Sequence, residues 1–226
     1  MTPGRRLDLH VHSAHSPDGR APVEALVAAA QRAGLDGLAL SDHQSVDGLR
    51  RLADLAREIP GFLWLPAVEV STAAGHLLGF GLREVPPRDL PVDAAVAWVE
   101  GHGGVPVLAH PFRLVHGVGT RWADRAAVPA IETINGHTGP GANRRAAEVA
   151  RRRGLGTTGG SDAHGAEELG TAWTRFPDAV ETVDDLVEAL RRGATVAEGR
   201  SASPSYRLRL AARSLRLRLR RGLRPI

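Results

Sequence analysis

The chain has 226 residues, 42% of them hydrophobic, enough for one sizeable core and for one domain with an appendage. It contains no cysteine, which excludes thiol catalysis, disulfides and cysteine-type zinc fingers, so a metal would have to be held by His, Asp and Glu. The formal charge of +4 is unevenly spread. All 29 basic residues are arginine, nine of them between Arg200 and Arg224, and residues 1–199 carry 20 arginines against 25 acids. An argument for nucleic acid from basicity therefore rests on the tail. No apolar run is long enough to span a bilayer and no signal-peptide pattern opens the chain, so a cytoplasmic protein is expected.

Leu7, Leu9 and Val11 alternate with Asp8, His10 and His12, the period of a strand, which predicts two imidazoles leaving one face together. A Ser/Pro/Asp-Gly loop follows, and residues 22–33 read as a helix with Pro22 at its start and Gly34 at its end. A strand over 36–40 runs into Ser41-Asp42-His43, a helix covers 46–58, and strands at 62–70 and 75–80 carry Glu69 and His76. A helix over 91–101 precedes a strand at 105–109 that ends in His110-Pro111. Next come a strand at 129–135, a helix at 143–153 and a strand at 155–160 that leads into Ser161-Asp162-Ala163-His164. A strand at 171–176 and a helix at 183–192 complete the body.

Strands alternating with helices predict parallel βαβ units. His10, His12, His43, Glu69, His110, Asp162 and His164 all fall at predicted strand ends, where α/β barrels and open sheets alike build their sites. So many candidates on separate strands suit the closed rim of a barrel better.

His10-x-His12, Ser41-Asp42-His43, Glu69-Val70-Ser71, His76-Leu77-Leu78-Gly79, Ala109-His110-Pro111 and Gly160-Ser161-Asp162-Ala163-His164, in that order, closely resemble the PHP (polymerase and histidinol phosphatase) family. The resemblance covers roughly residues 5–199 and implies a distorted (β/α)7 barrel, here with a short basic C-terminal extension over 200–226. It implies a di- or trinuclear centre of Mn, Zn or Fe that hydrolyses phosphate esters with a metal-activated hydroxide. Position by position, His10, His12, Glu69 and Asp162 would hold one ion. Glu69 would bridge to a second, completed by His76 and His110, and Asp18, His43 and His164 would hold a third. His15 competes with Asp18 for the third site, and Asp18 fits the pattern better. Independently of the family, a carboxylate can bridge two cations where a neutral imidazole cannot. Clustered cations also acidify water and clamp both oxygens of a displacement at phosphorus.

Phosphate needs positive charge beyond the metals, and without lysine it must come from arginine. Arg113 is the first candidate and Arg144 the second. Asp8 and Asp42 are candidates to orient ligand imidazoles. His137, beside a strand end, is a candidate general acid or phosphate contact, against the plainer reading of a loop histidine. His102 sits in a helix C-terminal turn and His116 in an exposed loop, and neither is assigned a role. In the tail, Leu208, Ala211, Ala212, Leu215, Leu219 and Leu223 share a helical face, but residues 215–218 fit a strand equally well. A terminal element docked on the barrel is preferred over a basic segment that touches RNA or an acidic membrane. The expected substrate is a small phosphorylated metabolite or nucleotide. The alternatives are a nuclease acting on RNA or DNA ends and a non-catalytic accessory domain.

Overall fold

The computed structural model describes residues 4–206 and 208. The first half runs β1 (Arg6–Asp8), α1 (Val23–Arg32), β2 (Gly37–Leu40), α2 (Leu49–Glu58), β3 (Leu63–Thr72), β4 (Gly75–Phe80) and α3 (Val92–Gly101). The second half runs β5 (Val105–Leu108), α4 (Gly119–Arg125), β6 (Ala130–Asn135), α5 (Pro140–Arg153), β7 (Gly156–Gly160), β8 (Ala172–Arg175), α6 (Val183–Arg191) and β9 (Val196–Gly199). Helix boundaries follow local chemistry. Pro22 and Pro91 precede α1 and α3, Gly154 closes α5 in the left-handed conformation, and Thr182 with Asp185 forms a capping box on α6.

The nine strands of the described residues form one sheet in the order β7-β6-β5-β4-β3-β2-β1-β8-β9, rolled into a nearly closed barrel. Past its regular ladders the sheet closes on itself: Asp162 N donates to His10 O at 2.8 Å and His12 N donates to Ala163 O at 2.8 Å. On the same seam the Thr174 hydroxyl donates to Gly159 O at 2.9 Å and accepts from Gly159 N at 2.8 Å. The expected parallel units are present in β1-β2-β3 and β5-β6-β7, but not every pair is parallel. β4 is antiparallel to both β3 and β5, and β8 is antiparallel to β1 and β9. The physical reason is connection length: only Ala73 and Ala74 separate β3 from β4, too few for the crossover that a parallel pair requires. Reversal brings the start of β4, and with it His76, to the rim where the parallel strands end.

Side-chain parity separates inside from outside. Leu7, Leu9, Ala39, Leu65, Ala67, Leu78, Phe80, Val105, Val107 and Ala130, from six strands, form one buried cluster with Leu186 and Leu190 of α6. This is the barrel interior, with α6 plugging the end opposite the rim. The alternate residues face the helical layer: Leu38 and Leu40 pack with α1 and α2, and Val68, Val70, Leu77, Leu108 and Ile131 pack with α3 and α5. The strand predicted over residues 7–12 is regular only to Asp8. Leu9 still packs inward but Val11 packs with α1, so the alternation slips between them and His10 enters the barrel.

Gly160 marks how closely the seam strands approach: a Cβ there would lie 2.6 Å from His10 N and 2.4 Å from His10 Cβ. Gly160→Ala is therefore expected to lower unfolding free energy by about 2 kcal/mol or more, read from the denaturant midpoint. An unchanged midpoint would show that the seam yields freely.

Candidate metal centre

Glu69 lies on the inward parity of Leu65 and Ala67, 1% exposed, at the middle of the rim. Its Oε1 is 2.7 Å from His76 Nδ1 and 3.0 Å from His110 Nε2. Its Oε2 is 3.1 Å from both His10 Nε2 and His12 Nε2 and 3.3 Å from His43 Nδ1. One carboxylate thus faces five imidazoles delivered by β1, β2, β4 and β5. Asp162 adds a second, 3.5 Å from His10 Nε2 and 3.3 Å from His12 Nε2. On the far side Asp18 Oδ2 lies 2.9 Å from His164 Nε2 and 3.5 Å from His43 Nε2. The nine side chains named as ligand candidates all converge.

Their grouping is denser than three separate sets. Donor atoms of His12, Asp18, His43 and His164 lie within 4.8 Å of one another, as do those of His10, His12 and Glu69, of His10, His110 and Asp162, and of His43, Glu69 and His76. His12 thus reaches the Asp18 side as well as the Glu69 side, and His43 reaches both too. His15 is exposed and stands outside these groups.

Access to the rim comes by two routes. His43, Glu69 and His76 continue the strand alternation inward. His110 and Asp162 turn in by left-handed backbone, at φ 25° and 58°. Such conformations are costly outside glycine, and they cluster where a site imposes them.

Electrostatics follow from four carboxylates (Asp18, Glu69, Glu132 and Asp162) packed around imidazoles, with Arg113 reaching Asp162 Oδ2 at 2.5 Å. Burial alone would raise the Glu69 carboxyl, but the fields of His43, His10 and His76 hold it well below its ordinary range. Asp162 is likewise held low by His10 and Arg113 against its burial. The same carboxylates lift His12 to about 10 and raise His10, in each case against burial. His110 is pushed down by burial and by Arg113. The carboxylates thus favour positive charge beside them.

Divalent ions fit this demand. His12 Nε2, His43 Nδ1 and His110 Nδ1 are buried without a hydrogen-bond partner, although His12 and His43 lie close to carboxylate oxygens. Where His12 and His43 face Glu69 closely yet without hydrogen-bond alignment, a cation between the groups suits the geometry.

Two expectations are overturned. Neither Asp8 nor Asp42 is hydrogen-bonded to a candidate ligand imidazole. Asp8 accepts backbone N–H groups of His10, Ser161 and Gly170 at 3.3, 2.8 and 3.0 Å, because it faces the seam, and burial raises it to about 6. Asp42 accepts from Ser13 N and Ser13 Oγ at 2.6 and 2.7 Å and pins the Asp18 loop. The orienting carboxylate is Glu132, which the sequence reading missed. Its Oε1 meets His10 Nδ1 at 3.0 Å, and its Oε2 accepts from His110 N at 2.7 Å and Asn135 Nδ2 at 3.1 Å. Alternation from inward-facing Ala130 was the available signal.

Arg113 is at the rim, whereas Arg144 is exposed on α5 and pairs with none of these groups. His137 stacks on His164 with ring centroids 5.3 Å apart. His116 is exposed, as expected, yet its ring stacks on His76 at 4.6 Å.

The PHP domain profile matches residues 8–79, which hold His10 through His76, and the PHP-associated profile matches residues 140–195, which hold Asp162 and His164. The chain belongs to the PHP family. PHP proteins are metal-dependent hydrolases or phosphoesterases. Over 82 residues, 36% of this chain, it is 38% identical to an error-prone DNA polymerase of Nocardia farcinica (strain IFM 10152), of which the match spans only 6%. A two-domain protein containing a predicted PHP-like metal-dependent phosphoesterase from Bacteroides vulgatus ATCC 8482 superimposes with a TM-score of 0.73, at 20% identity, over 87% of this chain and 65% of that one. A lesion-specific endonuclease from Pyrococcus furiosus does so with a TM-score of 0.59, at 14% identity, over 86% and 57%. At these identities the likeness is one of fold.

Glu132→Gln removes the charge behind His10 while keeping the side chain's shape. It is expected to weaken divalent-metal affinity about 10- to 100-fold, measured by competition with a chelator. Unchanged affinity would exclude Glu132 from orienting a ligand.

Proposed function

We propose that this PHP protein hydrolyses the phosphate monoester of a small metabolite or nucleotide with the help of bound divalent ions. The single observation that carries the reading is Glu69, buried, with both oxygens turned toward five imidazoles. His10, His12, Glu69 and Asp162 would hold one ion, Glu69, His76 and His110 a second, and Asp18, His43 and His164 a third. With nitrogen and oxygen donors only, Mn, Zn or Fe suits the set. When bound, such ions supply Lewis acidity and acidify water to near neutral pH.

The chain's own groups do the rest. Arg113, its side chain 24% exposed and hydrogen-bonded to Asp162, is the cation that meets the phosphate oxygens. Glu132 locks His10 with Nε2 toward Glu69. His137 is lowered chiefly by burial, which favours a neutral imidazole over a cationic acid near neutral pH.

Chelation is expected to abolish hydrolysis of p-nitrophenyl phosphate, and Mn or Zn to restore it. Glu69→Gln should lower kcat/KM by about 100-fold or more, together with bound metal. Arg113→Ala should lower kcat/KM by about 10- to 100-fold at unchanged metal content, the worth of a charged hydrogen bond. An unchanged kcat/KM removes Arg113 from substrate binding. The nuclease alternative draws on the endonuclease's fold and on the arginines after residue 206, which lie outside the described residues. Its mark would be preferential cleavage of oligonucleotides with a KM that climbs steeply with salt.

A further inference from the structure

The chain does not leave the barrel at Arg200. Arg200 N donates to Thr171 O and Ala202 N to Thr138 O, each at 2.9 Å, and Asn143 Nδ2 donates to Ser201 Oγ at 2.9 Å. Ala202 is 4% exposed. Ser203 Oγ then accepts from Tyr206 N at 3.2 Å, the N-cap of a helical turn that begins at Pro204. That turn aims Tyr206 at the rim. Its hydroxyl shares a 3.0 Å hydrogen bond with His137 Nε2, and the two rings meet edge to face at 5.5 Å.

The rim carries an unbroken row of rings. From His116 it passes to His76 (4.6 Å), His43 (4.9 Å), His12 (4.7 Å), His164 (4.5 Å) and His137 (5.3 Å), and it ends at Tyr206. The two ends differ. At the His116 end the side chain is exposed and the neighbouring Leu114 is 99% exposed. At the Tyr206 end the His137 and Glu168 side chains are each only 8% exposed, and Arg20 pairs with Glu168 at 3.1 Å. Among the described residues, the row is exposed at its His116 end and buried at its Tyr206 end.

We propose that Tyr206 is a specificity-determining wall that restricts the site to phosphate monoesters and excludes diesters. The inference rests on the phosphoesterase reading. When water hydrolyses R–O–PO3, the P–O bond from water forms as the P–OR bond breaks, and a water proton ends on the leaving oxygen. A monoester has one organic group to place and leaves by the exposed end. A diester carries a second group on a tetrahedral phosphorus, and that group needs the space Tyr206 and His137 fill.

The test compares p-nitrophenyl phosphate with bis(p-nitrophenyl) phosphate on the full chain loaded with Mn. Wild type should favour the monoester. Tyr206→Ala should shift the kcat/KM ratio toward the diester by about tenfold or more, the usual worth of shape in a pocket, while Tyr206→Phe, which keeps the ring, should retain the wild-type ratio. A folded, metal-loaded Tyr206→Ala with an unchanged ratio overturns the wall alone, as does a wild type that takes both esters equally. A metal-loaded wild type inactive on both esters overturns the phosphoesterase reading and the wall with it.

Discussion

A carboxylate stripped of water among five imidazoles is the constraint around which this barrel is built. Burying Glu69 in an apolar interior without compensation would cost several kcal/mol, and the usual escape is protonation. Here the surrounding histidines hold the carboxyl ionised, so the compensation is local and made of groups that could also hold a metal. Those histidines come from four strands, and all must arrive at one level of the rim. The lower interior, where Leu65, Leu78, Phe80 and Val107 meet α6, sets that level by filling the barrel beneath the site. Packing below and charge above are therefore one design problem.

The rim is reached partly by continuing the strands and partly by breaking them. His43, Glu69, His76 and Glu132 need nothing beyond pleat alternation. His110 and Asp162 sit in left-handed backbone, and His10 follows a slip in the pattern of β1. Glu132 offsets part of that cost by accepting the backbone N–H of His110 while it holds the ring of His10. It ties an irregular turn to an irregular strand end, which explains an acid buried in the middle of β6.

Much of this was legible in the sequence. Proline and glycine punctuation marked α1, and the ordered His, Glu and Asp patterns pointed to the family and to nine side chains that do converge. Two elements escaped. α4 is only seven residues long, and β9 is a short, half-exposed strand with no clear alternation. Antiparallel β4 was legible in principle, since the few residues between the strands at 62–70 and 75–80 cannot make a parallel crossover, but the surrounding alternation of strands and helices pointed the other way. Asp8 and Asp42 were misread for a similar reason: both sit beside ligand candidates in sequence but spend their oxygens on backbone and serine donors. Glu132 was overlooked because no motif surrounds it.

By itself the sequence determined the chemistry available: nitrogen and oxygen donors without sulfur, arginine as the only fixed cation, and strand ends loaded with histidine. These are local properties of residue type and spacing. Only the tertiary structure decided which oxygen faces which ring, that Asp18 and not His15 joins the cluster, that Glu132 supports His10, and that Tyr206 folds back on His137. Each of those depends on closing the sheet and on backbone turns at single residues. Contacts between groups tens to more than a hundred residues apart are set by that closure, which no short stretch of chain encodes alone.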